Sequence, residues 1–80
     1  MDTLTQMQNP IRKRRAKKGL NQIELAKKCG VTDETIRRWE KGKTEILDIN
    51  LERLSRVLKV KSTTLFEELQ QWRKSAGLSA

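Results

Sequence analysis

Apolar residues in this chain recur at helical spacing, stop at a glycine or a polar turn, and resume. Asn9 followed by Pro10 has the character of a cap with proline at the first helical position, opening a helix that should run to about Lys18 and stop at Gly19. Asn21 is a good N-cap for a second helix, with Glu24 three residues on as its capping-box partner, and Gly30 follows Cys29 as the stop. Thr32 caps a third helix, whose first turn carries Asp33 and Glu34 at the positive end of the helix dipole and which Gly42 ends. After the polar, turn-rich segment KGKTEILDIN, the residues Leu51, Leu54, Val57 and Leu58 define a fourth helix, and Val60 closes that apolar set. Ser62 or its neighbour caps a fifth, in which Leu65, Phe66, Leu69 and Trp72 keep to one side. No alternating run or hairpin dipeptide marks a strand. The pattern predicts an all-α fold of five short helices, with a flexible segment at residues 1–8, one domain at 9–74 and a flexible tail at 75–80.

The most informative stretch is QIELAKKCGVTDETIRRWEK, residues 22 to 41. Leu25, Ala26 and Cys29 face inward from one helix, Val31 sits just after the turn, and Ile36 and Trp39 face inward from the next. Ala26 falls where two helices cross closely and only a small side chain fits, and Gly30 lets the turn adopt a positive φ. Glu34 and Arg38, four residues apart, share the opposite face of the third helix. Arg15 shares a face with Ile11, and Glu40 with Ile36, so both charges point toward apolar neighbours and each needs a partner.

Charge adds a partner class to this picture. Eighteen Lys and Arg against ten Asp and Glu give a formal charge of +8, much of it from the run Arg12 to Lys18, which points to a polyanion. Chemistry is narrowed by what is missing: with no histidine and one cysteine, a Cys/His zinc site, a histidine-based triad and an internal disulfide cannot be built. No metal, no cofactor and no enzymatic activity are expected, and Cys29 should pack as a small hydrophobe. MDTLTQMQ has neither the positive start nor the apolar run of a secretory signal, and no stretch reaches the roughly 20 apolar residues of a membrane span, so a cytoplasmic location without membrane contact is expected.

Four segments carry a family resemblance: the lead-in KKGLNQIELA, the turn CGVTDETI, the helix end RRWEKGK and the closing LERLSRVLKVKSTTLF. Over residues 10 to 66 the chain resembles the Cro and lambda-repressor-type helix-turn-helix domains, the XRE family. The resemblance implies a compact five-helix domain with its helix-turn-helix at helices 2 and 3, binding operator DNA as a homodimer with the third helix in the major groove. It further implies that Thr32, Asp33, Glu34 and Arg38 occupy base-reading positions, and that Asn21, Gln22, Lys41, Lys43 and Thr44 hold the phosphate backbone, Gln22 also bracing the third helix. Arg38 suits a bidentate contact to guanine, and Arg15 and Glu40 match a structural ion pair between the first and third helices.

Asp33 and Glu34 depart from the uncharged residues usual in relatives. A carboxylate there can accept from cytosine N4, or it can simply stabilise the helix start by roughly 0.3–1 kcal/mol. Trp39 is expected in the core. Trp72, beyond the resemblance, fits either packing on the domain or a dimer contact. The expected function is a transcription regulator of prokaryotic or phage type acting as a repressor on double-stranded DNA. The alternative is an antitoxin or protein-interaction module, with a toxin or the transcription machinery as partner and Leu65 to Trp72 as the contact.

Overall fold

The computed structural model describes residues 8–77 and contains five helices: α1 (Pro10–Lys17), α2 (Gln22–Cys29), α3 (Asp33–Lys41), α4 (Asp48–Leu58) and α5 (Ser62–Ser75). No strand occurs among the described residues. Of the flexible segment and the tail expected from the sequence, residues 1–7 and 78–80 lie outside them, and Ser75 closes α5.

Side-chain caps fix three of the five starts. The Asn9 carbonyl oxygen accepts from the N–H groups of Ile11 at 2.8 Å and Arg12 at 3.3 Å, while its amide donates to the Trp39 carbonyl at 3.1 Å. One buried side chain therefore caps α1 and ties it to the end of α3. Asn21 and Glu24 form the reciprocal capping box, at 2.7 and 2.9 Å, and the Thr32 hydroxyl accepts from the Thr35 N–H at 3.2 Å. Two expectations change here. The polar segment is shorter than its composition suggests, because Asp48 to Asn50 already belong to α4. Ser62 is the first residue of α5, and neither Lys61 before that helix nor Leu47 before α4 provides a side-chain cap.

Four helices close in the same way, with a left-handed residue and a hydrogen bond reaching five residues back: Leu20 to Arg15, Val31 to Ala26, Lys43 to Arg38 and Val60 to Ser55, at 3.0 to 3.1 Å. Gly30 and Gly42 fill the left-handed position at the ends of the two central helices, where a side chain would be strained.

Each helix sends one fully enclosed aliphatic residue into a single core: Ile11, Leu25, Ile36, Leu54 and Leu65. Each contributes about 1.5–3 kcal/mol by leaving water. Ala26, Cys29 and Trp39 are buried around them, and α2 packs chiefly on α3 and α4. Phe66 does not join its expected partners: Leu65 and Leu69 are buried, but Phe66 is 49% exposed. The side chain one residue after an inward-facing leucine is rotated about 100° round the helix, enough to leave the core. Polar links complete the assembly. Arg14 of α1 meets Glu68 of α5 through Nε at 2.9 Å and Nη2 at 2.6 Å, and Arg73 of α5 donates to the Gly42 carbonyl at 3.2 Å, clamping the turn that ends α3.

Candidate nucleic-acid interface

Helix α3 has two faces of opposite character. Ile36 and Trp39 anchor it to the core, while Glu34 and Arg38 project into solvent with side chains 68% and 57% exposed. Two rows run along the wet side. Glu34 and Arg38 form a loose pair at 3.6 Å. Asp33 and Arg37 form a closer one at 3.0 Å, and Lys41 is one further turn along the same row. Exposed pairs of this sort contribute little, about 0.3–0.5 kcal/mol, so both arginines are easily redirected to another anion.

The orientation of α3 is set from behind by a three-residue junction. Arg15 of α1 donates to Glu40 through Nε at 2.7 Å and Nη2 at 3.2 Å, and Gln22 of α2 donates to the same carboxylate at 3.0 Å. The third arm of Arg15 reaches the Leu20 carbonyl at 3.0 Å. The Arg15 and Glu40 side chains are 14% and 6% exposed, so this pair is largely removed from water and its donors and acceptors are matched. The surrounding interior follows the same rule, since among the described residues no buried side-chain polar atom lacks a partner.

Around α3 the surface is concave in two adjoining places. Glu34, Arg37, Arg38, Lys41, Lys43 and Thr44 line one. Arg12, Arg15, Gln22, Arg37, Glu40 and Lys41 line the other. Because Arg37 and Lys41 border both, the two make one basic surface, with α3 along it, the N-terminus of α2 at one side and the turn after α3 at the other.

The residues expected to contact DNA fall on or beside this surface with some of their capacity already in use. Glu34, Arg38, Lys41, Lys43 and Thr44 lie together. Gln22 is present, with its amide engaged by Glu40. The Asn21 carbonyl oxygen is engaged in the α2 cap, leaving its amide as the part able to meet a phosphate. Thr32 is exposed at the start of α3, its hydroxyl occupied by the Thr35 N–H and by the Thr35 hydroxyl at 2.8 Å. Asp33 is half-buried and held toward Arg37.

Arg37 and the specific contribution of Arg12 escaped the sequence reading. The spacing Asp33, Arg37, Lys41 was a usable signal for the first, being a second row of i, i+4 neighbours. Arg12 had none to separate it from the rest of its basic run.

A family model described as helix-turn-helix, HTH_3, matches residues 11–65, most of the chain. The protein is a member of the Cro/C1-type helix-turn-helix family. No curated protein matches its sequence. As an HTH_3 domain it belongs to a family of DNA-binding transcription regulators, and its five-helix, strand-free architecture agrees with that membership. No helix among the described residues is long and apolar enough to cross a membrane, and no group of metal-ligating side chains occurs among them.

Proposed function

We propose that this helix-turn-helix protein binds double-stranded DNA sequence-specifically as a homodimer and acts as a transcriptional repressor, with α3 in the major groove. The observation that carries this reading is the contrast across α3: the enclosed Ile36, Trp39 and Glu40 fix the helix, and the same helix offers Glu34, Arg37, Arg38 and Lys41 to solvent on a basic surface. In this arrangement Arg38 reads guanine and Glu34 accepts from cytosine N4, each released from the other on binding. Lys41, Lys43, Thr44 and the amides of Asn21 and Gln22 meet phosphates and set the register without reading sequence. Half-sites about 34–36 Å apart suit a dimer that reads one face of the duplex.

Fluorescence anisotropy of labelled duplexes across a salt series tests the proposal. With roughly six to ten phosphates contacted, affinity should fall by about 10³ to 10⁵ between 50 and 200 mM salt. Weak binding that ignores salt on every duplex tried would refute it.

A second reading, an antitoxin or other protein-binding module, draws on the exposed Phe66. Within the expected contact from Leu65 to Trp72, Leu65 and Leu69 are committed to the core and Trp72 is half-buried. Phe66→Ser leaving DNA binding intact while abolishing co-purification of a small partner would favour that reading.

A further inference from the structure

Lys18 in the turn between α1 and α2, Lys28 on α2 and Lys59 in the turn between α4 and α5 surround the half-buried side chains of Leu20 and Val57. We propose that this shallow depression docks an acidic segment of a partner protein, one whose carboxylates flank a leucine-sized apolar side chain.

The depression is complementary in charge to an anion. Three lysines from distant parts of the chain line it, and no carboxylate is among the lining residues. Four arginines are answered from within the fold, Arg14 by Glu68, Arg15 by Glu40, Arg37 by Asp33 and Arg38 by Glu34, whereas Lys18, Lys28 and Lys59, like the lysines around α3, stand in no such ion pair. A cluster left unanswered gains most from an external anion.

Its floor is aliphatic. Leu20 and Val57 give a phosphodiester nothing to bind, whereas an aliphatic side chain set between acidic residues buries apolar surface there. This favours a protein over a nucleic acid.

Lys59 is the only described non-glycine residue with positive φ, at 55°, while the corresponding positions after α1, α2 and α3 are the glycines Gly19, Gly30 and Gly42. Side chains disfavour that region, so the lysine held there, which also lines the depression, is a backbone outlier. None of the lining residues belongs to α3 or to the basic surface around it, so partner and DNA can be held together.

The test titrates the full 80-residue chain, labelled with ¹⁵N, with the peptide EDLEDLED, its serine version EDSEDSED and a short random duplex. The leucine peptide should shift the amides around Lys18, Leu20, Lys28, Val57 and Lys59. The serine version should bind about fivefold more weakly, and the Lys18→Glu, Lys28→Glu double variant should bind the leucine peptide about tenfold more weakly.

Lys59→Gly guards against loss of fold. It should raise Tm by a few degrees and weaken the peptide about threefold, with duplex affinity unchanged. Equal binding of both peptides, shifts centred on Arg37 and Lys41, or duplex affinity lost in step with peptide affinity would overturn the proposal. The last of these would make the depression a nucleic-acid contact. Failure of α3 to select any DNA sequence would leave the peptide result standing.

Discussion

Glu40 receives Arg15 from one helix and Gln22 from another, and that junction holds α3 at a fixed angle. Removing one member strands the rest in a place water barely reaches. Arg15→Ala should therefore cost about 3 kcal/mol in urea unfolding, and pairing Arg15→Met with Glu40→Leu should recover most of it, because no charge is then left alone. An unchanged midpoint for Arg15→Ala would show that the pair contributes nothing.

The Arg14 to Glu68 bridge is more exposed and weaker, at about 0.5–1 kcal/mol. Hydrogen bonds from Arg14 hold the Glu68 carboxyl below its ordinary range against a smaller opposing effect of burial, and the fields of Arg14, Lys13 and Lys17 add to them. A carboxyl depressed in the folded state stabilises above its unfolded pKa, about 4.3, and loses that contribution as pH falls through the folded value. Glu68→Gln should thus be the less stable protein at pH 7, with the gap to the parent narrowing as pH falls below about 4.3, measured by urea titration at each pH. Burial, partly offset by the charge of Arg53, raises the Cys29 thiol, so its reaction with a disulfide reagent at pH 8 should track global unfolding.

Helices were the most legible part of the chain, because their signals are local. Asn21, Thr32 and the glycines that end the central helices mark boundaries through bonds spanning two to five residues, and these are readable directly. The start of α4 was hidden because Leu47 supplies no side-chain cap and Asp48 to Asn50 look like turn residues. The link from Asn9 to the Trp39 carbonyl spans thirty residues and leaves no local trace, although the cap half of its role did. Asn9→Ala should accordingly cost more than a surface cap, about 2 kcal/mol, since it also removes the buried cross-link to the Trp39 carbonyl, which keeps only its bond from the Gly42 N–H. Ala26 is 3% exposed on α2, the helix that packs on α3 and α4, so a larger side chain there must displace its neighbours. Ala26→Leu should destabilise by about 1–3 kcal/mol or more, and thermal melts of the two variants would check both figures.

Net charge pointed to a polyanion but not to where it binds. The fold pairs some cations internally and gathers others, so that α3 carries one basic surface and Lys18, Lys28 and Lys59 line a separate depression. Arg38 and Glu34 could be assigned to the outer face of α3 from spacing alone, whereas the part played by Arg37 required knowing what stands beside it. The two kinds of proposed contact should separate cleanly. Lys43→Ala should weaken every duplex alike and lower the salt slope by about one, and Glu34→Gln should strengthen non-specific binding while relaxing preference for cytosine. The most direct measurement is selection of bound sites from random duplexes by the parent and by Arg38→Ala in parallel. The account predicts a two-half-site motif for the parent, with one guanine per half-site that the variant no longer requires. Identical motifs from both proteins, or no enrichment from the parent, would contradict it.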